Sequence, residues 1–221
     1  MSTPLLLGHR GVRGLRATPE NTVRAFDFAL AHGCNGFEFD VRLSADGQAV
    51  VCHDASFHNR QISKCSAKEL KLPLLRDILQ RYQNRAFLDI ELKVPGLEIP
   101  AIETLTEFPP GRGYVITSFL PEVLQKISRR SAGMKLGLIC ETASQFPEWQ
   151  QLPVEYVVLQ RRLVLPAAIE QLKGKGRKVL AWTVNSAVDM KRFSRWDIDG
   201  MISDRPQKLV QTLQAESPYA K

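Results

Sequence analysis

Residues 36–54 read Gly36-Phe37-Glu38-Phe39-Asp40-Val41-Arg42-Leu43-Ser44-Ala45-Asp46-Gly47-Gln48-Ala49-Val50-Val51-Cys52-His53-Asp54. Two strand-like runs, 36–42 and 49–53, are separated by a link too short to hold a helix. The link contains Asp46-Gly47, a pair favoured in two-residue hairpin turns, where both central positions take positive φ. A turn centred there sets position 40 opposite position 53. Asp40 and His53 are therefore expected to meet across an antiparallel pair, and Glu38 and Asp40, two apart, to project from one face.

Around this hairpin, short aliphatic runs alternate with helical patterns along the whole chain. Strands are expected at 5–8, 36–42, 49–53, 86–93, 114–117, 135–140, 156–160, 178–183 and 200–203. Amphipathic helices are expected at 20–31, 74–82, 98–107, 121–130, 166–173, 187–193 and 206–213. Strands alternating with helices imply parallel pairing through crossovers. Setting aside the hairpin's return strand leaves eight βα units of about 28 residues each, a lean (β/α)8 TIM barrel. The expected fold is thus an α/β barrel with one extra hairpin strand after its second strand, in a single domain over 1–221. The rival, an open doubly wound sheet, usually carries a dinucleotide fingerprint after its first strand. Here that turn reads Gly8-His9-Arg10-Gly11 instead.

Composition narrows the function classes. A hydrophobic share of 44% is enough for an ordinary core and argues against disorder. The apolar runs are too short for a membrane-spanning helix, and the first ten residues lack the basic and apolar regions of a secretory leader. Cys34, Cys52, Cys65 and Cys140 form no C-x-x-C pair, so reduced thiols in a cytoplasmic protein are expected. The net charge of +7 favours an anionic partner. Basic residues run together only in short clusters such as Arg129-Arg130 and Arg161-Arg162, without aromatic interleaving, which points away from nucleic acid and toward a small anionic molecule.

Polar residues gather at the C-terminal ends of the expected strands, the rim where barrel enzymes carry their sites. Glu38, Asp40 and Glu91 face inward there, and such a group needs either a hard divalent cation or pairing with Arg10, Lys93 or Arg42. Zinc is disfavoured because no Cys/His cluster accompanies them. His9 and His53 come from separate strands and suit an acid/base pair, or are hydrogen-bonded rim histidines. His32 and His58 have no such setting. Arg10 and Lys93 match a phosphoryl group or balance the acids. Asp54, Asp89 and Asp204 read as loop caps or hydrogen-bond acceptors. Phe119 and Trp182 read as an apolar wall at the rim or as core.

These motifs, in order, are His9-Arg10-Gly11, Pro19-Glu20-Asn21-Thr22, Phe37-Glu38-Phe39-Asp40-Val41, Val50-Val51-Cys52-His53-Asp54 and Ile90-Glu91-Leu92-Lys93. They continue with Thr117-Ser118-Phe119, Trp182-Thr183-Val184-Asn185 and Asp199-Gly200-Met201-Ile202-Ser203-Asp204-Arg205-Pro206. Together the chain resembles the glycerophosphodiester phosphodiesterases. That resemblance implies a barrel hydrolase that releases an alcohol and glycerol 3-phosphate with a divalent cation, Mg²⁺ or Ca²⁺, with Mn²⁺ as a third option. Glu38, Asp40 and Glu91 would ligate the metal, and His9 and His53 would be the catalytic acid and base. Arg10, Lys93, Glu20, Phe119 and Trp182 would make up the substrate and phosphate site, with Glu20 supporting it from the loop after strand 1. Asn21 reads as the cap of the first helix. The family's analogy also allows attack by a substrate hydroxyl through a cyclic phosphate.

The stretch after His53-Asp54 is short beside the insertion many members carry. That leaves the leaving alcohol open and raises a lysophospholipase D-type activity as one alternative. A non-catalytic phosphodiester-binding barrel is the other. Both a monomer and a homodimer fit the sequence.

Overall fold

The computed structural model describes residues 3–215. Met1 and Ser2, where the leader reading begins, and residues 216–221 lie outside the described part. Strand β1 (Leu5–His9) leads into helix α1 (Val23–Ala31), followed by β2 (Gly36–Leu43) and β3 (Ala49–Val51). The hairpin forms, but one residue away from the expected register. Val41 faces Val51, Arg42 faces Val50 and Leu43 faces Ala49, so Cys52 rather than His53 stands beside Asp40. The Cys52 N–H donates to the Asp40 carbonyl at 3.0 Å.

The turn explains the shift. A two-residue turn of the expected kind needs positive φ at both Asp46 and Gly47, and only Gly47 has it, at 76°. The loop therefore takes one more residue. Gly47 N–H donates to Ser44 O at 3.1 Å and Ser44 N–H to Gln48 O at 3.0 Å, while the Asp46 carboxylate accepts from Ser44 Oγ at 2.5 Å and Ala67 N–H at 3.0 Å.

Beyond Asp54 the chain builds a small unit absent from the sequence reading. Strands β4 (Ser56–Phe57) and β5 (Arg60–Gln61) turn through His58 and Asn59, both at positive φ. A 3₁₀ turn, Ile62–Lys64, and helix α2 (Ala67–Leu70) follow, the helix started by a Ser66/Glu69 capping box. Val50, Cys52, Ile62 and Leu70 bury together and fasten this unit to the hairpin.

The remaining elements are α3 (Leu75–Tyr82), β6 (Phe87–Leu92), α4 (Glu98–Glu107), β7 (Tyr114–Ser118), α5 (Pro121–Arg130) and β8 (Leu136–Cys140). After a 3₁₀ turn at Phe146–Gln151 come β9 (Tyr156–Gln160), α6 (Pro166–Lys173), β10 (Lys178–Trp182), α7 (Ala187–Ser194), β11 (Gly200–Ser203) and α8 (Pro206–Gln214). Eight parallel strands close a ring in the order β1, β2, β6, β7, β8, β9, β10, β11, and β1 pairs with both β2 and β11. β3 lies outside the ring on the edge of β2, where β1 has ended. The expected barrel with its extra strand is the fold observed.

Alternation along each strand divides the apolar residues into two shells. Leu7, Phe87, Val115, Ile139, Val158, Leu180 and Ile202 fill the lumen. Residues one step out of phase, such as Phe37, Phe39, Leu88 and Ile90, pack under the helices. Phe26 of α1 stacks on Phe37 at 4.2 Å between ring centroids, and each such fully buried side chain stabilises the fold by about 1.5–3 kcal/mol. α1 starts at Val23, three residues later than expected, because Thr22 is its cap: its side chain accepts from Ala25 N–H at 3.2 Å. No described helix is long and apolar enough to cross a membrane. All four cysteines are free thiols, and burial pushes Cys34 and Cys140 up to about 12.

Candidate active site

At the C-terminal mouth of the barrel the inward positions turn polar. The register sets His9 beside Glu38, Glu38 beside Asp89 and Asp40 beside Glu91. Glu38, Asp40 and Glu91 each offer an oxygen within 4.8 Å of the others, and all three are buried. The turn after β1 completes this corner. Gly11 has φ 79°, and a Cβ there would lie 2.5 Å from the Ala25 carbonyl carbon, so only glycine lets the turn pack against α1. Arg10, at φ 51°, adopts the left-handed conformation that non-glycine residues avoid; its N–H thereby donates to Glu38 Oε2 at 2.9 Å.

Two cations, Arg10 and Lys93, stand among the carboxylates. Arg10 Nε is 3.1 Å from Asp40 Oδ2, and its Nη1 meets Glu20 at 2.5 Å. Lys93 Nζ is 2.5 Å from Glu91 Oε1 and 3.4 Å from Asp40 Oδ1. Burial, then repulsion from Asp40, Glu91 and Asp89, drives the Glu38 carboxyl well above the usual range. Burial raises Glu91 to about 7, aided by Asp40 and opposed by Lys93; burial likewise raises Asp89 to about 7, although Thr117 Oγ1 donates to it at 2.6 Å. Burial also raises Asp40, but Arg10, Lys93 and Asn21 outweigh it and hold the carboxyl low. Glu38 Oε1 is buried without a hydrogen-bond partner, and Asp40 Oδ1 and Glu91 Oε1 face only the Lys93 ammonium. Surplus negative charge and an unpartnered buried oxygen in an all-oxygen set fit a hard divalent cation.

The histidines flank this group, each held by an aspartate. His9 Nδ1 lies 2.6 Å from Asp204 Oδ1, and its Nε2 is 3.8 Å from Glu38 Oε2. Burial lowers the His9 pKa and outweighs the Asp204 carboxylate, which raises it; a ring that donates Nδ1–H to Asp204 leaves Nε2 free to accept. Burial pushes Asp204 up, but the hydrogen bond and charge of His9, with Asn185 and Arg13, hold it at about 2. His53 Nδ1 lies 2.7 Å from Asp54 Oδ1. His53 lies two residues past the end of β3, and the bend there, held by Arg42 Nε donating to the His53 carbonyl at 2.7 Å, carries it to the cavity instead of the expected ladder pairing.

A cavity of about 340 Å³ opens over this corner. His9, Arg10, Glu38, His53, Glu91 and Lys93 line one side; Phe119, Trp182 and the lumen residues Ile139 and Val158 line the other. Asp40, almost fully buried, is not among the lining side chains. Glu20 is placed behind Arg10, accepting from it and from Arg13 Nε at 2.6 Å, and so steadies the guanidinium from outside the cavity. Asn21 does not cap α1: its Nδ2 donates to Asp40 Oδ2 at 2.8 Å and its Oδ1 accepts Asp40 N–H at 3.3 Å. The sequence reading missed this brace, and it missed Glu141, which also borders the cavity.

The family model for glycerophosphoryl diester phosphodiesterases matches residues 9–112 and 103–208. A glycerophosphodiester phosphodiesterase of Caldanaerobacter subterraneus is 28% identical over 235 residues, 93% of this chain and 96% of that protein. Among solved structures, a glycerophosphodiester phosphodiesterase from Parabacteroides distasonis superposes with a TM-score of 0.86 at 20% identity, covering 97% of this chain and 98% of the other. An Oleispira antarctica phosphodiesterase, solved with its product sn-glycerol-3-phosphate, superposes at 0.84 with 24% identity over 96% of this chain and 97% of the other. Since the matched segments take in every strand end that carries the site, the chain belongs to the glycerophosphoryl diester phosphodiesterase family and is an enzyme.

Proposed function

We propose that this barrel, as a single domain, hydrolyses small glycerophosphodiesters to an alcohol and glycerol 3-phosphate, using a divalent cation and the two histidines. The observation that carries the reading is the joint placement of unsatisfied buried acids, two cations and two braced imidazoles around one cavity. Glu38, Asp40 and Glu91 would hold the ion, Mg²⁺ or Ca²⁺ by their hard oxygen donors. When bound, such an ion polarises a phosphoryl oxygen. Arg10 and Lys93 would orient the phosphate and neutralise charge on its oxygens. One imidazole would take the proton of the attacking substrate hydroxyl while the other protonates the departing alkoxide, and water would then open the resulting cyclic phosphate to glycerol 3-phosphate with the two proton-transfer roles exchanged. Asp204 and Asp54 fix the two rings for that exchange.

Purified protein with Mg²⁺ or Ca²⁺ is expected to release glycerol 3-phosphate from a glycerophosphodiester. His9→Ala and His53→Ala are each expected to lower kcat by about 10²–10⁴-fold. Parent-like rates in both variants would remove the acid/base roles, and faster turnover of a lysophospholipid than of its deacylated diester would move the substrate class to lysophospholipids.

A further inference from the structure

Glu141 follows the last residue of β8 and continues its inward alternation after Gly137 and Ile139. It borders the catalytic cavity on the wall away from the acid group, with β7 standing between β8 and the strand that carries Glu91. Its backbone is pinned, because Gln145 Oε1 accepts from Glu141 N–H at 2.9 Å and from Thr142 N–H at 3.1 Å. Its carboxylate has no hydrogen bond or ion pair among the described residues. Arg161, at the end of the neighbouring strand, is turned to Asp189 at 3.6 Å.

Glu141 is exposed to solvent at the rim of this cavity, where its negative charge disfavours the phosphate end of a substrate and favours a cationic group. Its neighbours on that wall say which. Phe119 and Trp182 meet edge to face with centroids 5.6 Å apart, above Ile139 and Val158. Lys93 Nζ already stands 5.6 Å from the Phe119 centroid on the phosphate side, whereas no cation lies over Trp182 among the described residues. Indole is the strongest aromatic partner for a cation, and aromatic walls with a carboxylate suit an organic ammonium. A polyol would need several hydrogen-bonding groups, and among these three side chains the wall offers only the Glu141 carboxylate, because the Trp182 Nε1–H is buried away from the cavity surface.

We propose that Glu141, Phe119 and Trp182 form a subsite for a positively charged alcohol, so that diesters with a substituted ammonium head group are the preferred substrates. The proposal rests on the diester hydrolysis argued above. The test is the ratio of kcat/KM for glycerophosphocholine to that for glycerophosphoglycerol, which shares the glycerol phosphate half but has a neutral alcohol. The wild-type protein, with saturating divalent cation, is expected to favour the choline diester. Glu141→Gln is expected to lower the ratio about tenfold, chiefly through KM for the choline diester, and Glu141→Lys to lower it further. Free choline is expected to inhibit the wild type competitively and the Gln variant more weakly. A ratio that is the same in all three proteins overturns the subsite while leaving the hydrolase reading intact. Failure of the wild type to cleave either diester overturns that reading, and the subsite with it.

Discussion

Replacing Asp204 with Asn separates the two things this carboxylate does. Asp204 Oδ1 accepts from His9 Nδ1 at 2.6 Å, and Oδ2 accepts from Asn185 Nδ2 at 2.6 Å. An asparagine can satisfy one of these donors and must present its own NH₂ to the other, so either the ring or Asn185 loses its acceptor. With the negative charge gone, the imidazolium that forms during proton transfer also loses its counter-ion. A fall of about 10–10³-fold in kcat, with little change in KM, is expected.

Stability gives an independent reading of the same contact. Asp204 sits at about 2 when folded against 3.8 in the open chain, so its contribution is complete above pH 3.8 and is lost as pH falls toward 2. The shift corresponds to about 2 kcal/mol at most, and partial exposure of the side chain reduces this to about 1 kcal/mol. Denaturant unfolding of parent and Asp204→Asn at pH 6 and near pH 2.5 would measure it. The gap between the two proteins is expected to narrow at the lower pH. A gap independent of pH, or a variant with unimpaired kcat, would refute the role given to the His9–Asp204 contact.

Three further outcomes follow from the same geometry. Glu38→Gln relieves repulsion with Asp40, Glu91 and Asp89, so in chelator it is expected to raise Tm while lowering metal-dependent activity by at least about 10²-fold; a lower Tm in chelator would contradict the charge surplus. Asn21→Ala removes both hydrogen bonds to buried Asp40 and is expected to destabilise by about 1–3 kcal/mol with loss of activity, measured by urea unfolding and diester turnover. The two histidine variants described above should bind divalent cation as the parent does, which calorimetry would check.

Much of the barrel was legible because its local signals agree. Each parallel strand is a short apolar run, each crossover a helical pattern, and the inward phase is set by residues two apart, which is why Glu38, Asp40, Glu91, His9 and Lys93 could be placed on one rim. The hairpin register was less legible, since it depends on whether Asp46 takes positive φ, and that was settled by Ser44 and Ala67 binding its carboxylate. Asn21 and Thr22 are both good capping residues, and only the position of Asp40 across the turn decides that Asn21 goes to the strand and Thr22 to the helix. The Ser66-x-x-Glu69 capping box was a readable signal for α2, though the helix is a single short turn. Glu141 looks like any loop carboxylate until the phase of β8 is carried one step past Cys140.

The central claim is that a divalent cation joins the buried acids to make this cavity a diester hydrolase. Release of glycerol 3-phosphate from a glycerophosphodiester should stop when chelator strips the protein and return when Mg²⁺ or Ca²⁺ is added back. Undiminished release in chelator, or no release with any of these ions, would contradict it.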